Sequence, residues 1–88
     1  MDVTDNRTER RFELATDDGP AIAAYEITGN AITFTHTLVP SEVEGQGIGG
    51  RLIAGALADV AGRGLKVVPQ CAFVRAYLQR HPEAATLA

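Results

Sequence analysis

Three features of this chain could do chemistry: a single cysteine, Cys71; a histidine within an alternating apolar run, His36; and the glycine-rich stretch Gly45-Gln46-Gly47-Ile48-Gly49-Gly50. The thiolate is the reactive form of cysteine, and its pKa falls at a helix N-terminus. Cys71 immediately precedes an amphipathic stretch, so it stands where such a helix would begin. A free cysteine is also a small hydrophobe that packs well in a core, and the sequence leaves both roles open. His36 carries an imidazole that titrates near neutrality, which suits a general base. It also shares the alternation of Ile32, Phe34 and Leu38, as a core histidine with a satisfied ring nitrogen would. One cysteine and two distant histidines, His36 and His81, lead us to expect neither an internal disulfide nor a metal centre.

The glycine stretch lies between an alternating apolar run and an amphipathic one, Ile48, Leu52, Ile53, Ala56, Leu57 and Val60 sharing one stripe. A helix N-terminus offers unpaired N–H groups and a partial positive charge, and glycines before it let a ligand approach the backbone. A tight strand-to-helix connection with no ligand is the plain alternative. Gly45, Gly47 and Gly50 satisfy G-x-G-x-x-G, but a dinucleotide fold wants an acidic residue roughly 20 residues on, after the next strand. Here that strand ends in Pro69 and Gln70, and after Asp59 the next carboxylate is Glu83. No Gly-Lys-Ser/Thr follows, which excludes a nucleotide-triphosphate loop.

The elements that must position these groups follow from the periodicity. Met1 to Arg10 is polar without a period and reads as a mobile N-terminal segment. Strands are expected over Arg11–Ala15, Ala21–Thr28 and Ala31–Val39, with turns at 16–20 and at Gly29-Asn30. A helix from about Gly47 to Gly62, closed by Gly64, leads to a short apolar strand at Leu65–Val68. A second helix begins near Cys71 or Ala72, carries Phe73, Val74, Tyr77 and Leu78 on one face, and ends by His81 because Pro82 follows. The order βββαβα is an α/β fold, a small mixed sheet of about four strands with two helices. Residues 11–83 form the single domain and 84–88 a C-terminal tail.

Glu44-Gly45-Gln46-Gly47-Ile48-Gly49 resembles, in every position but the first, the Arg/Gln-x-x-Gly-x-Gly/Ala loop of GNAT-superfamily N-acetyltransferases. Together with HTLVPSEVEGQGIGGRL and VVPQCAF, it is similar to the short single-domain GNAT-like N-acetyltransferase family, from about Glu13 to Glu83. The resemblance implies a minimal GNAT fold that binds acetyl-coenzyme A as co-substrate and transfers its acetyl group to an unidentified amine or thiol. It implies a coenzyme site at Val39, Gly45, Gln46, Gly47, Ile48, Gly49, Gly50 and Arg51. It also implies a thioester between His36 and Cys71, with acetyl transfer either direct or by way of Cys71, and Tyr77 placed to return a proton to the leaving thiolate. For Tyr77 core packing is the plainer role. Glu44 departs from the pattern, because a carboxylate facing a pyrophosphate is repulsive. A non-catalytic coenzyme- or acyl-binding module, or an interaction domain, is the alternative function.

A net charge of −3 argues against sequence-independent nucleic-acid binding. No apolar run reaches membrane-spanning length and no leader opens the chain, so a cytoplasmic protein without membrane attachment, monomer or homodimer, is expected.

Overall fold

The computed structural model describes residues 3–88. In chain order these form β1 (Val3–Asn6), β2 (Arg11–Leu14), β3 (Ala21–Thr28), β4 (Ala31–Leu38), α1 (Ile48–Gly62), β5 (Lys66–Pro69) and α2 (Ala72–Arg80), with short 3-10 turns at Ser41–Val43 and Pro82–Ala84. The sheet is five-stranded in the order β1-β2-β3-β4-β5, antiparallel except for the parallel pair β4–β5.

Alternation assigns the two faces. Phe12, Leu14, Ala21, Ala23, Tyr25, Ile32, Phe34 and Val67 point to one side and are buried there. The stripe of α1, Leu52, Ile53, Ala56, Leu57 and Val60, closes on them, and Val74 of α2 completes the same core. Burying each of the larger of these side chains contributes about 1.5–3 kcal/mol. Both helices lie on this face and touch each other, so Glu13, Ile22, Ala24, His36 and Leu38 occupy a face that no helix of the described residues covers.

The N-terminus departs from the expectation of a mobile segment. Val3–Asn6 pairs with β2, making five strands where about four were expected. Two contacts hold it. Val3 packs so closely on α1 that a Cβ at Gly55 would overlap its side chain. Asp5, with a side chain 7% exposed, receives the Tyr25 hydroxyl and the Arg63 and Arg7 guanidiniums. A tertiary network of this kind has no local periodicity to announce it. Met1 and Asp2 of that segment lie outside the described residues. The C-terminal tail is tied down as well: Val67 donates to the Thr86 carbonyl at 2.8 Å and accepts from the Ala88 amide at 3.0 Å, alongside β5.

Helix α1 ends as its glycine suggested. The Gly64 amide bonds to the Ala61 carbonyl and the Leu65 amide to that of Val60, the paired closure of a Schellman turn.

Candidate functional site

Strands β4 and β5 stop pairing at Phe34 and Pro69. The Cys71 amide still donates to the Phe34 carbonyl at 2.8 Å, and beyond this bond the chains part. Strand β4 continues to Leu38 while the other chain turns into α2.

Just there β4 carries a bulge. Phe34 pairs with Tyr25 but His36 pairs with Ala24, leaving Thr35 as the extra residue. A bulge of one residue reverses which side chains face the core. Thr37, paired with buried Ala23, therefore faces the helices, and its Oγ1 lies 3.4 Å from Cys71 Sγ. His36 and Leu38 go to the helix-free face and are exposed. The expected His36–Cys71 pairing is therefore not formed; alternation through 32–38 misplaces His36 because it cannot register the bulge. His36 Nδ1 has Thr35 Oγ1 at 3.4 Å.

Cys71 is buried, 7% exposed, at the N-cap of α2. Burial pushes its thiol up, but the Thr37 hydroxyl, the Val74 and Phe73 amides at the start of α2 and the Arg75 charge together hold it below the ordinary thiol value.

In front of this pair opens a cleft of about 340 Å³. Thr37 and Val39 form one wall and Phe73 another, with Val43 of the 3-10 turn, Glu44 after it and the glycine stretch as the floor. The glycines do different work. Gly47, the N-cap of α1, has φ +78, a left-handed conformation that side chains disfavour. Gly49 is buried, and a Cβ there would overlap the Phe73 ring, so this glycine lets α1 and α2 approach. Gly50 faces open space. No side chain caps α1 and no acidic residue stands in its first turn, so the amides of Ile48, Gly49 and Gly50 present their N–H groups without a partner among the described residues.

Of the residues the sequence put at a coenzyme, Val39, Gly45, Gly47, Ile48, Gly49 and Gly50 line the cleft. Gln46 and Arg51 do not; both are exposed, and the Arg51 amide is already bonded to the Gly47 carbonyl. Glu44 lines the cleft although it is exposed. Tyr77 packs against the core and stacks on His81 with ring centroids 4.6 Å apart. It lines a neighbouring groove along α2 rather than the cleft that Thr37 lines. Sequence reasoning missed Thr37, which only the bulge turns inward, and Phe73 as a wall of the site. The clash that fixes Gly49 was the available sign for Phe73, but it needs coordinates.

A bare helix N-terminus beside parting parallel strands accords with a family model described as GCN5-related N-acetyl-transferase, which matches residues 11–87. The chain belongs to this family. Comparison with curated proteins finds no match. The family match covers the sheet from β2 onward, both helices and all of the cleft, and it leaves β1 outside.

Proposed function

We propose that the domain binds acetyl-coenzyme A at the N-terminus of α1 and transfers the acetyl group directly to an amine. The observation that carries this reading is the unmet donor set of Ile48, Gly49 and Gly50, with no capping side chain and no acidic residue in the first turn, opening onto the cleft. These residues fit a pyrophosphate, since several N–H groups and the helix dipole converge where no carboxylate of the helix competes. Glu44 opposes that charge from the cleft edge and weakens the site.

The coenzyme supplies an acyl thioester, already activated toward amines. Among the described residues Thr37 is the only hydroxyl lining the cleft, and therefore the side-chain donor available to negative charge developing on the carbonyl oxygen. On the helix-free face His36 is exposed and close to where β4 and β5 part, placed to take the proton of an amine arriving from that side. Direct transfer is favoured because Cys71 is buried and does not line the cleft.

Two observations support a second route, acetylation of Cys71: its thiol is held below the ordinary value, and it touches Thr37 of the cleft wall. Calorimetric titration with acetyl-coenzyme A, then intact-mass analysis of turnover with a polyamine or peptide amine, tests the reading. Direct transfer expects a saturable complex, Cys71→Ser retaining most activity and His36→Ala losing about 10²-fold or more. S-acetyl-Cys71 accumulating in the wild type, with Cys71→Ser inactive, would establish the covalent route instead. Absence of binding would remove the coenzyme reading.

A further inference from the structure

One peptide stands at the fork of β4 and β5. It joins Gln70 to Cys71, and its N–H donates to the Phe34 carbonyl at 2.8 Å, the last bond before the two chains part. A trans peptide points its carbonyl the opposite way. The Gln70 carbonyl therefore faces away from β4, and the Arg75 guanidinium meets it there. Arg75 Nη1 donates to Gln70 O at 2.6 Å and to Pro69 O at 3.1 Å. The fork peptide is thus held at both ends, by β4 on one side and by a side chain of α2 on the other.

Helix stability does not explain an arginine here. Arg75 is near the start of α2, where the helix dipole is positive and a cation is unfavourable. No acidic residue in the first turn offsets it. Arg7, Arg10, Arg11 and Arg63 are each paired with a carboxylate, whereas Arg75 has no ion pair among the described residues. Its charge is spent on two backbone carbonyls instead, as charge-assisted hydrogen bonds.

What the fork peptide sets is the cleft. On its N–H side β4 runs on from Phe34 to Thr37, one wall. On its other side the chain enters α2, whose Phe73 is the opposite wall. Cys71 lies between them, with Sγ 3.4 Å from Thr37 Oγ1. The spacing of the two walls therefore depends on how firmly this peptide is held. Arg75 itself does not line the cleft.

We propose that Arg75 is a positioning residue for acetyl transfer: by clamping the Gln70–Cys71 peptide at the fork, it fixes Thr37 and the α2 wall relative to the reacting carbonyl. The proposal rests on the transfer reading above, in which the Thr37 hydroxyl meets the developing negative charge. A misplacement of a fraction of an ångström at such a donor is felt in the transition state more than in binding. The competing account is that Arg75 only closes two exposed carbonyls and adds to the stability of the fold. That role is indifferent to the reaction.

The test compares wild type, Arg75→Met and Arg75→Lys in two measurements: amide hydrogen exchange without ligand, and steady-state transfer from acetyl-coenzyme A to a polyamine or peptide amine. In Arg75→Met the Cys71 amide should exchange about 10-fold faster or more, while the Ile53 and Leu57 amides of α1 keep their rates. Its kcat should fall about 10-fold, with KM for acetyl-coenzyme A within about twofold of wild type. Arg75→Lys keeps a cation without the planar fork and should recover part of both effects. Equal acceleration of the α1 amides, a kcat that is unchanged, or a loss confined to KM makes Arg75 a structural residue and overturns the proposal. Unchanged exchange at Cys71 overturns it too, and leaves the transfer reading standing. A wild type that transfers no acetyl group overturns that reading, and the proposal with it.

Discussion

The two ends of α1 handle their polar groups in opposite ways. At the C-terminal end they find partners: Arg63 bonds to Asp59 and Asp5, Tyr25 donates to Asp5 at 2.5 Å, and the carbonyls of Asp59, Val60 and Ala61 are closed by the amides of Arg63, Gly64 and Leu65. At the N-terminal end the first amides do not: no side chain caps the helix, no acid stands in its first turn, and the N-cap is a left-handed glycine. A pocket of about 350 Å³ bordered by Arg7, Arg10 and Arg63 lies at the satisfied end and is about the size of the cleft. Its arginines are already matched to Asp5, Glu26 and Asp59, so its size says less about a ligand than the unmet donors opposite.

The comparison breaks most visibly at Asp5. Replacing it with Ala leaves the Arg63 guanidinium and the Tyr25 hydroxyl without their shared partner, and should lower stability by about 2–4 kcal/mol. A chemical-denaturation curve measures this, and ligand affinity of the folded fraction should not change. The same network gives stability a pH window. Burial raises the Asp5 carboxyl, but Tyr25, Arg63 and Arg7 outweigh it and hold the group below its ordinary value of 3.8. A depressed carboxyl stabilises above its unfolded pKa, so this contribution should fade as pH falls below about 4. The Tyr25 phenol is pushed up to about 12 by burial and then by Asp5. A raised pKa stabilises below the unfolded value, so this part is lost as pH rises from about 10 toward 12. Thermal melts across pH should show both edges, and Asp5→Asn should blunt both.

At the other end, Gly47→Asp places a carboxylate where the pyrophosphate would sit and forces a side chain into left-handed backbone. Coenzyme affinity should drop by about 30-fold or more, while stability falls by about 1 kcal/mol. Affinity unchanged in a folded variant would detach the glycine stretch from binding. The smallest effect sharpens the contrast rather than breaking it. Glu44→Arg should tighten coenzyme binding by about 0.5–2 kcal/mol, less at high salt, and leave pantetheine, which has no pyrophosphate, unaffected.

These contrasts also mark what could be read from sequence. The alternation of residues 11–38 and the stripe of α1 depend on nearest neighbours, and the meander, both helices and the glycine loop follow from them. The strand Val3–Asn6 did not, because polar Asp5 is made buriable by Tyr25 and Arg63, far away in the chain. The candidate site divides similarly. The bare helix start was legible in four glycines of six. The exchange of His36 for Thr37 beside Cys71 was not, since one bulged residue at Thr35 inverts every side chain after it. The family resemblance implied Arg51 at the coenzyme, but its side chain is outside the lining of the cleft.

The central claim is that the unmet amides at the start of α1 receive the coenzyme pyrophosphate. Amide ¹H–¹⁵N spectra during titration with acetyl-coenzyme A test it most directly. The account predicts that Ile48, Gly49 and Gly50 shift most and saturably, that Arg63 and Gly64 at the far end stay still, and that Gly47→Asp removes the response. Saturation with those three amides unmoved, or with the largest shifts at the Arg63 end, would contradict it.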